Sequence, residues 1–411
     1  MDNGFLSGEQ MRKNLSLRKE TMKSRRLSLN DQILNLILYE LERILEGNPD
    51  RIIVLFPSLL DWNIPLFQRP QHIALNLAEE GVLYLFGTTN TYDKIGAIEE
   101  IAPRCFLLNM MEPEIEAEIL SFLAKKQKRV VVHLYSGDMQ RGYEFVKRCL
   151  DRGFDILYEY IDELSPSISG IPLQRKIIER HLSILANTSC YVVATADKLF
   201  RDVLEKREPV RCALIPNGVD YSHFSSQSKN GFPKMLNDFK KKEIPIIGYF
   251  GALADWFDYA LIEKLALTKR EWQIVLIGLD YDGSLKKSRL LNFPNVHFLG
   301  AIPYQELPSY ARQFDVSVIP FLLNEVTIST SPIKLFEYMA VGKPIVATAL
   351  PECEKFNQIL IAQDHDDFIN KVKYALTLGG DETLALLLKE EAKKHTWTEK
   401  ARSIVHLLNT K

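Results

Sequence analysis

The sequence predicts an α/β protein with two Rossmann-like domains that face each other across a cleft, and an N-terminal helical extension. Short, continuously apolar segments alternate with segments of helical period, a pattern typical of parallel strands that are buried on both faces. This alternation runs twice along the chain, and a polar stretch separates the two runs. The 411 residues also exceed what one hydrophobic core ordinarily includes. We therefore predict domains at 51–218 and 244–390, with a linker at 219–243.

The individual strands are predicted from the apolar runs. The first domain has five of them, RIIVLFP, VLYLFG, RVVVHLY, ILYEYID and CYVVAT, and the second has IPIIGYFG, WQIVLIG, VHFLG, VSVIPF and PIVAT. Ligands of open α/β sheets bind at the carboxyl ends of the strands. Both sheets are therefore expected to present those ends to the cleft.

The first 50 residues form a separate segment in this interpretation. Residues 1–30 carry seven Lys or Arg against three Asp or Glu, with few apolar residues, so we expect a mobile basic arm. Apolar residues then recur with the spacing of an amphipathic helix that stops at Gly47. Such a helix either packs on its own domain or docks together with the arm on anionic lipid.

Composition excludes several classes of protein. A net charge of −2 and a pI near 6.5 provide no overall positive potential that would attract DNA or RNA, so nucleic acid is not an expected partner. The five cysteines are widely spread and form no C-x-x-C pair, which argues against a zinc site or a disulfide framework. No signal peptide or run of about 18 apolar residues is evident. We expect a cytoplasmic protein, with residues 1–45 as the part that would contact the inner face of the membrane.

The segment TSPIKLFEY contains the strongest candidate binding residues. Ser331 is a candidate N-cap of a helix with Pro332 at its first position, and exposed N–H groups at such an end bind anions. The hydroxyls of Ser329, Thr330 and Ser331 would add donors to a diphosphate. Lys334 in the first turn would place an ammonium beside the same oxygens and stabilise negative charge there.

Four further residues are candidates because of their positions next to predicted strands or helices. Gly251 follows a strand, so backbone can approach a phosphate there. Arg69 lies at a helix start in FQRPQ and could bind a phosphate with two hydrogen bonds; otherwise it is a surface side chain. His133 and Asp162 end predicted strands, where the histidine would face the cleft and the aspartate would orient an acceptor hydroxyl or accept a proton. A core histidine and a loop-capping acid are the structural alternatives.

A long stretch of the second domain, from NVHFLGAIPYQEL to PIVAT, resembles the nucleotide-sugar domain of glycosyltransferases with the two-domain GT-B fold, in particular the retaining family 4. The segment IPNGVDYSHF is similar to the interdomain segment of that family. FQRPQHIALNLA resembles a subgroup that acts in cell-surface polysaccharide synthesis and includes teichuronic acid enzymes. The resemblance covers residues 51–405, and it implies that the final helix, within 391–411, packs back on the first domain.

The resemblance also implies residue roles. Glu337 would accept hydrogen bonds from the nucleotide ribose, and the nucleobase would be held by backbone groups at Gly300, Ala301 and Ile302. This sequence departs from the family at two places. Ser329 stands where the family often has an acid, and ALADWFD lacks the Arg and Lys that usually bind the diphosphate.

The expected function is a metal-independent transfer of a sugar from a nucleotide-diphosphate-sugar donor to a glycan or lipid-linked acceptor. The donor is a substrate and no further cofactor is implied. Retention of configuration is implied by the resemblance alone. A sugar-nucleotide epimerase on the same fold, and a catalytically silent module that binds glycan or a partner protein, are the alternatives. A two-lobed ligand-binding protein is a weaker alternative because such proteins are usually exported.

Overall fold

A computed structural model of the chain describes residues 30–49, 51–57, 60–166, 172–226 and 234–410. It contains two α/β units, each with its own sheet, and so confirms the predicted fold class. The predicted basic arm lies outside the described residues. No helix in these ranges is both long and apolar enough to cross a membrane.

The first sheet has eight strands in the order β3-β4-β2-β1-β5-β6-β7-β8. All neighbours are parallel except β3 and β4, which form an antiparallel pair at one edge. The strand order reverses at β1, and the cleft lies at the carboxyl ends on this side. The strands are β1 Ile53–Phe56, β2 Leu83–Thr88, β3 Ile98–Ala102, β4 Cys105–Asn109, β5 Val130–Tyr135, β6 Asp155–Tyr160, β7 Tyr191–Ala194 and β8 Cys212–Leu214.

Up to residue 218, the described part of the chain forms six helices. They are α1 30–46, α2 Arg69–Glu79, α3 Pro113–Ala124, α4 Tyr143–Asp151, α5 Arg175–Ala186 and α6 Asp197–Leu204. The sequence left open whether the amphipathic helix, α1, packs on its own domain or on lipid. Ile37, Leu41 and Leu45 of α1 are buried in the core of the first domain, whereas Leu36 and Tyr39 of the same helix are exposed. One face of α1 therefore packs on its own domain.

The second sheet has six strands in the order β11-β10-β9-β12-β13-β14, all parallel. They are β9 Ile246–Phe250, β10 Gln273–Ile277, β11 Val296–Phe298, β12 Val316–Ile319, β13 Ile345–Thr348 and β14 Leu360–Ala362. The described helices after residue 218, in chain order, are α7 Tyr221–Ser225, α8 Lys234–Lys241, α9 Tyr259–Thr268, α10 Ser284–Lys287, α11 Leu307–Ala311, α12 Ile333–Val341, α13 Pro351–Glu354, α14 His365–Thr377, α15 Glu382–Lys394 and α16 Trp397–Leu408.

The predicted linker is more ordered than its composition indicates. Its described ends contain α7 and α8, and Phe224 and Leu236 from these helices are fully buried in the core of the second domain. Burial of these two side chains outweighs the polar composition of the surrounding residues.

The last helix, α16, packs on α2 of the first domain. The Thr398 hydroxyl donates to the Asn76 side chain at 2.8 Å, and Arg402 pairs with Glu80 at 3.0 Å. Trp397, at the start of α16, is buried in a core cluster of the first domain. The chain thus returns to its first domain after completing the second.

The start of α12 differs from the sequence expectation. Pro332 is the N-cap in extended backbone, and the helix begins at Ile333 rather than at Pro332. The Ser331 hydroxyl provides no cap because it accepts a hydrogen bond from the backbone N–H of Asn217 at 3.2 Å. A contact from the other domain has therefore replaced the expected local one.

Bare backbone forms the floor of the cleft in the second domain. Gly251 and Gly278 directly follow β9 and β10, with φ of +140° and +143°, values that side chains rarely adopt. The N–H of Gly278 donates to the carbonyl of Gly300, beyond β11, at 2.8 Å. A Cβ placed on Gly278 would lie 1.9 Å from the Gly251 carbonyl oxygen. Only glycine allows these two turns to approach so closely.

We expect Gly278→Ala to destabilise the protein by more than about 3 kcal/mol, because overpacking and backbone strain add at this position. Equilibrium urea unfolding measures the loss. Gly283→Ala is the matched control, since Gly283 also has positive φ but no atom lies within 4 Å of its added Cβ. That control should lose about 1–2 kcal/mol. Equal losses in the two variants would contradict the close packing of Gly278.

Candidate active site

A cavity of about 350 Å³ lies between the carboxyl ends of the two sheets and is lined by both domains. The first domain contributes the segment that starts α2, together with Asp162 and Asn217. The second domain contributes the ends of β9, β10 and β11, the loop after β12 and the first turns of α12. The residues named from the sequence that line it are Arg69, Asp162, Gly251, Ala301, Ile302, Thr330, Ser331, Lys334 and Glu337.

Lys334 lies over the glycine floor. Its Cε would be 2.7 Å from a Cβ on Gly251, so the lysine stem occupies the space that a side chain would fill. The ammonium lies 4.8 Å from the centroid of the Phe321 ring and 5.5 Å from that of Tyr249. Burial lowers the pKa of Lys334 to about 8, although Glu337 acts in the opposite direction.

Glu337 lies one turn further along α12 and is 5% exposed. Burial raises its pKa to about 8, and Lys334 only partly offsets this increase. A carboxyl and an amine with closely spaced pKa values thus line one wall of the cavity. A bound anion would restore the charge of the lysine, because a nearby negative charge raises the pKa of an amine.

The three predicted hydroxyls occupy different environments. Ser329 is fully buried outside the cavity lining, and its hydroxyl donates to the backbone carbonyl of Glu325 at 2.9 Å. Thr330 lines the cavity, but its hydroxyl donates to the carbonyl of Val326 at 2.9 Å. Ser331 also lines the cavity and is the partner of Asn217. The expected diphosphate contact from Ser329 has no support in this geometry.

Of the three residues predicted to hold the nucleobase, two line the cavity and one does not. Ala301 and Ile302 line the cavity. Gly300 lies outside that lining, with φ of +71°, and its carbonyl accepts the N–H of Gly278. Gly300 therefore shapes the floor of the cleft and leaves the next two residues to face the ligand space.

Arg69 borders the cavity, but its hydrogen bonds point into the first domain. The guanidinium donates to Glu159 Oε1 at 2.7 and 3.1 Å, to the carbonyl of Pro216 at 3.3 Å and to the Asn217 side chain at 3.2 Å. Arginine has five N–H donors, so one remains outside these four bonds. A clamp on phosphate by two hydrogen bonds would require Arg69 to release one of these partners.

Glu159 connects Arg69 to His133. The second carboxylate oxygen of Glu159 lies 3.1 Å from His133 Nε2, and His133 Nδ1 lies 2.8 Å from the Tyr84 hydroxyl. Burial favours the neutral acid, but Arg69 and His133 outweigh it and lower the pKa of Glu159 to about 2. His133 is 1% exposed and borders a separate pocket of about 170 Å³ rather than the main cavity. The structure places it among core residues, the structural alternative weighed for it.

Asn217 continues this chain into the second domain. Its side-chain amide donates to the backbone carbonyl of Ser331 at 2.6 Å, while its side-chain oxygen accepts from Arg69. A chain of contacting polar side chains thus runs from Tyr84 through His133, Glu159, Arg69 and Asn217 to the turn before α12. Sequence reasoning missed Glu159 and Asn217. An acid inside the apolar strand ILYEYI and the Asn of IPNGVD were the available signals.

Asp162 is the acid that the first domain presents to the cavity. It follows β6, as expected, and burial raises its pKa to about 7. A carboxyl group that titrates near neutrality can either hold a hydroxyl or exchange a proton with it. The structure thus places Asp162 at the cavity, at the carboxyl end of the strand from which it was predicted.

Aromatic rings join the two domains beside the cavity. Phe67 of the first domain stacks on Tyr304 of the second with ring centroids 5.1 Å apart. His72 packs against Phe67 and Trp397, in each case at 4.7 Å. Burial and the neighbouring His223 lower the pKa of His72 to about 3. His72 is therefore a neutral packing residue.

Comparison with known proteins shows the class to which the site belongs. Residues 244–377 match the family model described as Glycosyl transferases group 1, so the second domain is similar to the glycosyltransferase domains of this group. TuaH of Bacillus subtilis (strain 168), named as a teichuronic acid biosynthesis glycosyltransferase, is 28% identical over 265 residues. That alignment covers 61% of this chain and 66% of TuaH.

Solved structures show the fold across most of the chain. Sucrose-phosphate synthase from Thermosynechococcus elongatus has a TM-score of 0.65 at 18% identity, covering 87% of this chain and 98% of the synthase. Anabaena HepE in complex with UDP has a TM-score of 0.62 at 15% identity, covering 87% and 99%. Together with the family match, these structures confirm the predicted resemblance to GT-B glycosyltransferases and the predicted enzyme class. They do not favour the epimerase or the silent module.

We expect Glu159→Gln to destabilise the protein by about 3–5 kcal/mol, because it leaves Arg69 as a buried charge without its partner. The ionised form of Glu159 stabilises the fold above the unfolded pKa of 4.5, and this contribution is lost as the pH falls toward about 2. The deficit of the variant, measured by urea unfolding, should therefore be constant above pH 4.5 and shrink below it.

The exposed Arg175–Glu179 pair supplies the control for this experiment. Glu179→Gln makes the same chemical change in a pair whose side chains are largely exposed, and should cost less than about 0.5 kcal/mol. If Glu159→Gln costs no more than Glu179→Gln, the buried pair is not an important constraint on this fold.

Proposed function

We propose that this protein transfers a sugar from a nucleotide-diphosphate-sugar donor to a glycan or lipid-linked acceptor in cell-surface polysaccharide synthesis, with retention of configuration. The observation that carries this proposal is the ammonium of Lys334 above the Gly251 backbone, with Glu337 one turn away, in a cavity that both domains line. The likeness to TuaH supports the polysaccharide assignment, and the UDP complex of HepE supports a nucleotide donor.

In this proposal the donor lies along the second domain. Lys334 and the backbone at Gly251 bind the diphosphate, and Glu337 accepts hydrogen bonds from the ribose hydroxyls. The backbone of Ala301 and Ile302 contacts the nucleobase. As the glycosidic bond breaks, negative charge grows on the diphosphate and the ammonium of Lys334 stabilises it. We propose that this charge, rather than a metal ion, assists the leaving group.

The acceptor approaches from the first domain, where Asp162 orients its hydroxyl. The new C–O bond forms on the face from which the diphosphate leaves, and the hydroxyl proton passes to a diphosphate oxygen. Retention follows from this front-face attack. Arg69 acts on this site through Asn217 and Ser331, because its own donors are bonded to Glu159, Pro216 and Asn217.

We expect Lys334→Met and Glu337→Gln to affect different kinetic constants. Lys334 faces a charge that grows in the transition state, so kcat should fall by roughly 10²-fold or more in Lys334→Met. Ribose contacts are alike before and during the reaction, so Glu337→Gln should mainly raise KM. Steady-state transfer with a donor chosen by thermal stabilisation with UDP, GDP and dTDP measures both effects.

The pH dependence supplies an internal control for the lysine. Because the pKa of Lys334 is about 8 in the empty site, nucleotide affinity of the native enzyme should fall as the pH rises through 8. Lys334→Met should reduce this fall, and the same titration of Glu337→Gln shows how much of it comes from ionisation of Glu337, whose pKa is also about 8. If Lys334→Met retained a near-native kcat, a residue other than Lys334 would stabilise the developing charge. If the native protein turned over no donor, the protein would be a binding module rather than an enzyme.

We further propose that residues 1–29 bring the enzyme to an anionic membrane. The first 30 residues carry a net charge of +4, seven basic minus three acidic, and each basic residue near such a surface contributes ~1 kcal/mol. Leu36 and Tyr39, on the exposed face of α1, lie close to this arm in sequence. The buried face of α1 is already occupied by the first domain, so lipid contact is confined to the arm and this face.

Deletion of residues 1–29 should reduce flotation with anionic vesicles and reduce activity on a membrane-embedded acceptor, with soluble donor hydrolysis unchanged. Vesicles of neutral phosphatidylcholine are the control and should bind both forms weakly. Equal binding of the full-length and shortened chains to anionic vesicles would contradict the proposal and leave α1 with its packing role alone.

A further inference from the structure

Two aromatic side chains line the cavity where the diphosphate-binding cations of the resembled family are absent. Trp256 lies in ALADWFD after β9, and Tyr281 follows β10. Their ring centroids are 5.8 Å apart and the ring planes are inclined by 43°. Both rings border the cavity, with Trp256 half-buried and Tyr281 54% exposed. The aromatic pair thus forms part of the ligand-facing wall.

Backbone contacts hold this pair in place. The carbonyl of Trp256 accepts the N–H of Leu322 at 2.9 Å, which joins it to the loop after β12. The N–H of Tyr281 donates to the carbonyl of Leu253 at 2.8 Å, which joins the turns after β9 and β10. The backbone that carries each ring is therefore held to the turns after three neighbouring strands of one sheet, β10, β9 and β12.

The surroundings of the aromatic pair are acidic. Asp255 and Asp282 are the chain neighbours of Trp256 and Tyr281 and lie outside the cavity lining, and the N–H of Asp255 donates to the Asp282 carboxylate at 2.9 Å. Burial and the proximity of Asp282 raise the pKa of Asp255. Within the described residues neither carboxylate, nor that of the adjacent Asp280, forms an ion pair with Lys or Arg. The negative field there opposes an anionic group.

We propose that Trp256 and Tyr281 form a subsite for the sugar ring of the donor, and that the subsite favours an uncharged pyranose. The proposal rests on the donor function proposed above. The apolar face of a pyranose packs on aromatic rings, while carboxylates accept hydrogen bonds from hydroxyls and repel a uronate. Ala252 joins this surface to Gly251, so a diphosphate over Gly251 would have its sugar next to the aromatic pair.

The proposal also accounts for the two departures from the resembled family. Ser329 replaces an acid of that family and faces the protein interior, so the loop before α12 offers no carboxylate at that position. The sequence ALADWFD instead puts an aromatic ring at the cavity wall beside the loop after β12, with an acid next to it in the chain. Recognition of the sugar is thereby moved from the α12 side to the turns after β9 and β10.

The experiment compares binding of UDP, UDP-glucose and UDP-glucuronic acid, with the corresponding GDP and dTDP compounds in parallel, by isothermal titration calorimetry. Trp256→Ala should weaken the binding of UDP-glucose by about 3- to 10-fold, the range expected for one aromatic contact, and change the affinity for UDP by less than twofold. Trp256→Phe should retain most of the affinity. Asp255→Asn combined with Asp282→Asn should improve binding of UDP-glucuronic acid relative to UDP-glucose.

Tyr281→Ala has a matched control in Tyr374→Ala, since Tyr374 is 55% exposed on α14 and lies outside the cavity lining. Tyr281→Ala should weaken the binding of UDP-glucose, whereas Tyr374→Ala should leave it unchanged. Equal weakening of UDP and UDP-glucose by Trp256→Ala would show nucleotide stacking and overturn the sugar subsite, as would unchanged binding of both. If the native protein binds no nucleotide or nucleotide sugar in any series, the proposed function itself fails, which is a distinct outcome.

Discussion

The buried ion pair between Arg69 and Glu159 constrains the site more than any other single contact. Both side chains are almost completely removed from water, and a buried charge that lost its partner would be strongly destabilising. The pair is extended by His133 and Tyr84 on one side and by Asn217 on the other. Because Asn217 also holds the backbone of Ser331, the position of the first domain is transmitted to the turn that begins α12.

This arrangement separates two kinds of charge in one cleft. Arg69 and Glu159 neutralise each other, so they fix geometry and add little net charge to the cavity. Burial lowers the pKa of Lys334 and raises the pKa of Glu337, in both cases to about 8. The charges of these two side chains therefore depend on what is bound. A diphosphate would favour the ammonium form of Lys334. The charges that respond to a ligand are therefore those of Lys334 and Glu337, whereas the charges of Arg69 and Glu159 hold the two domains in position.

The two departures from the resembled family have a common physical explanation. Bare backbone at Gly251 and Gly278 brings any ligand close to the sheet, and Lys334 covers that floor from α12. With one cation above the glycines, the turn after β9 is free to carry Trp256 instead of a second cation. The aromatic pair and its acidic neighbours then give this face a chemistry suited to hydroxyls and apolar ring faces. In this view the departures change ligand specificity while the anion site is kept.

The sequence by itself determined the two sheets, the position of the cleft and the turn that carries Lys334 and Glu337, because apolar periodicity and motif spacing are local properties. It missed β3, β4, β8 and β14: β3, β8 and β14 are short strands that are partly exposed, whereas β4 is fully buried but only five residues long. Tertiary structure alone decided the roles of Arg69, His133 and Ser331. Their partners lie 90, 26 and 114 residues away in the chain, in Glu159 for the first two and in Asn217 for the third. Which hydrogen bonds a buried polar group makes depends on what the fold brings next to it, and no local pattern records that.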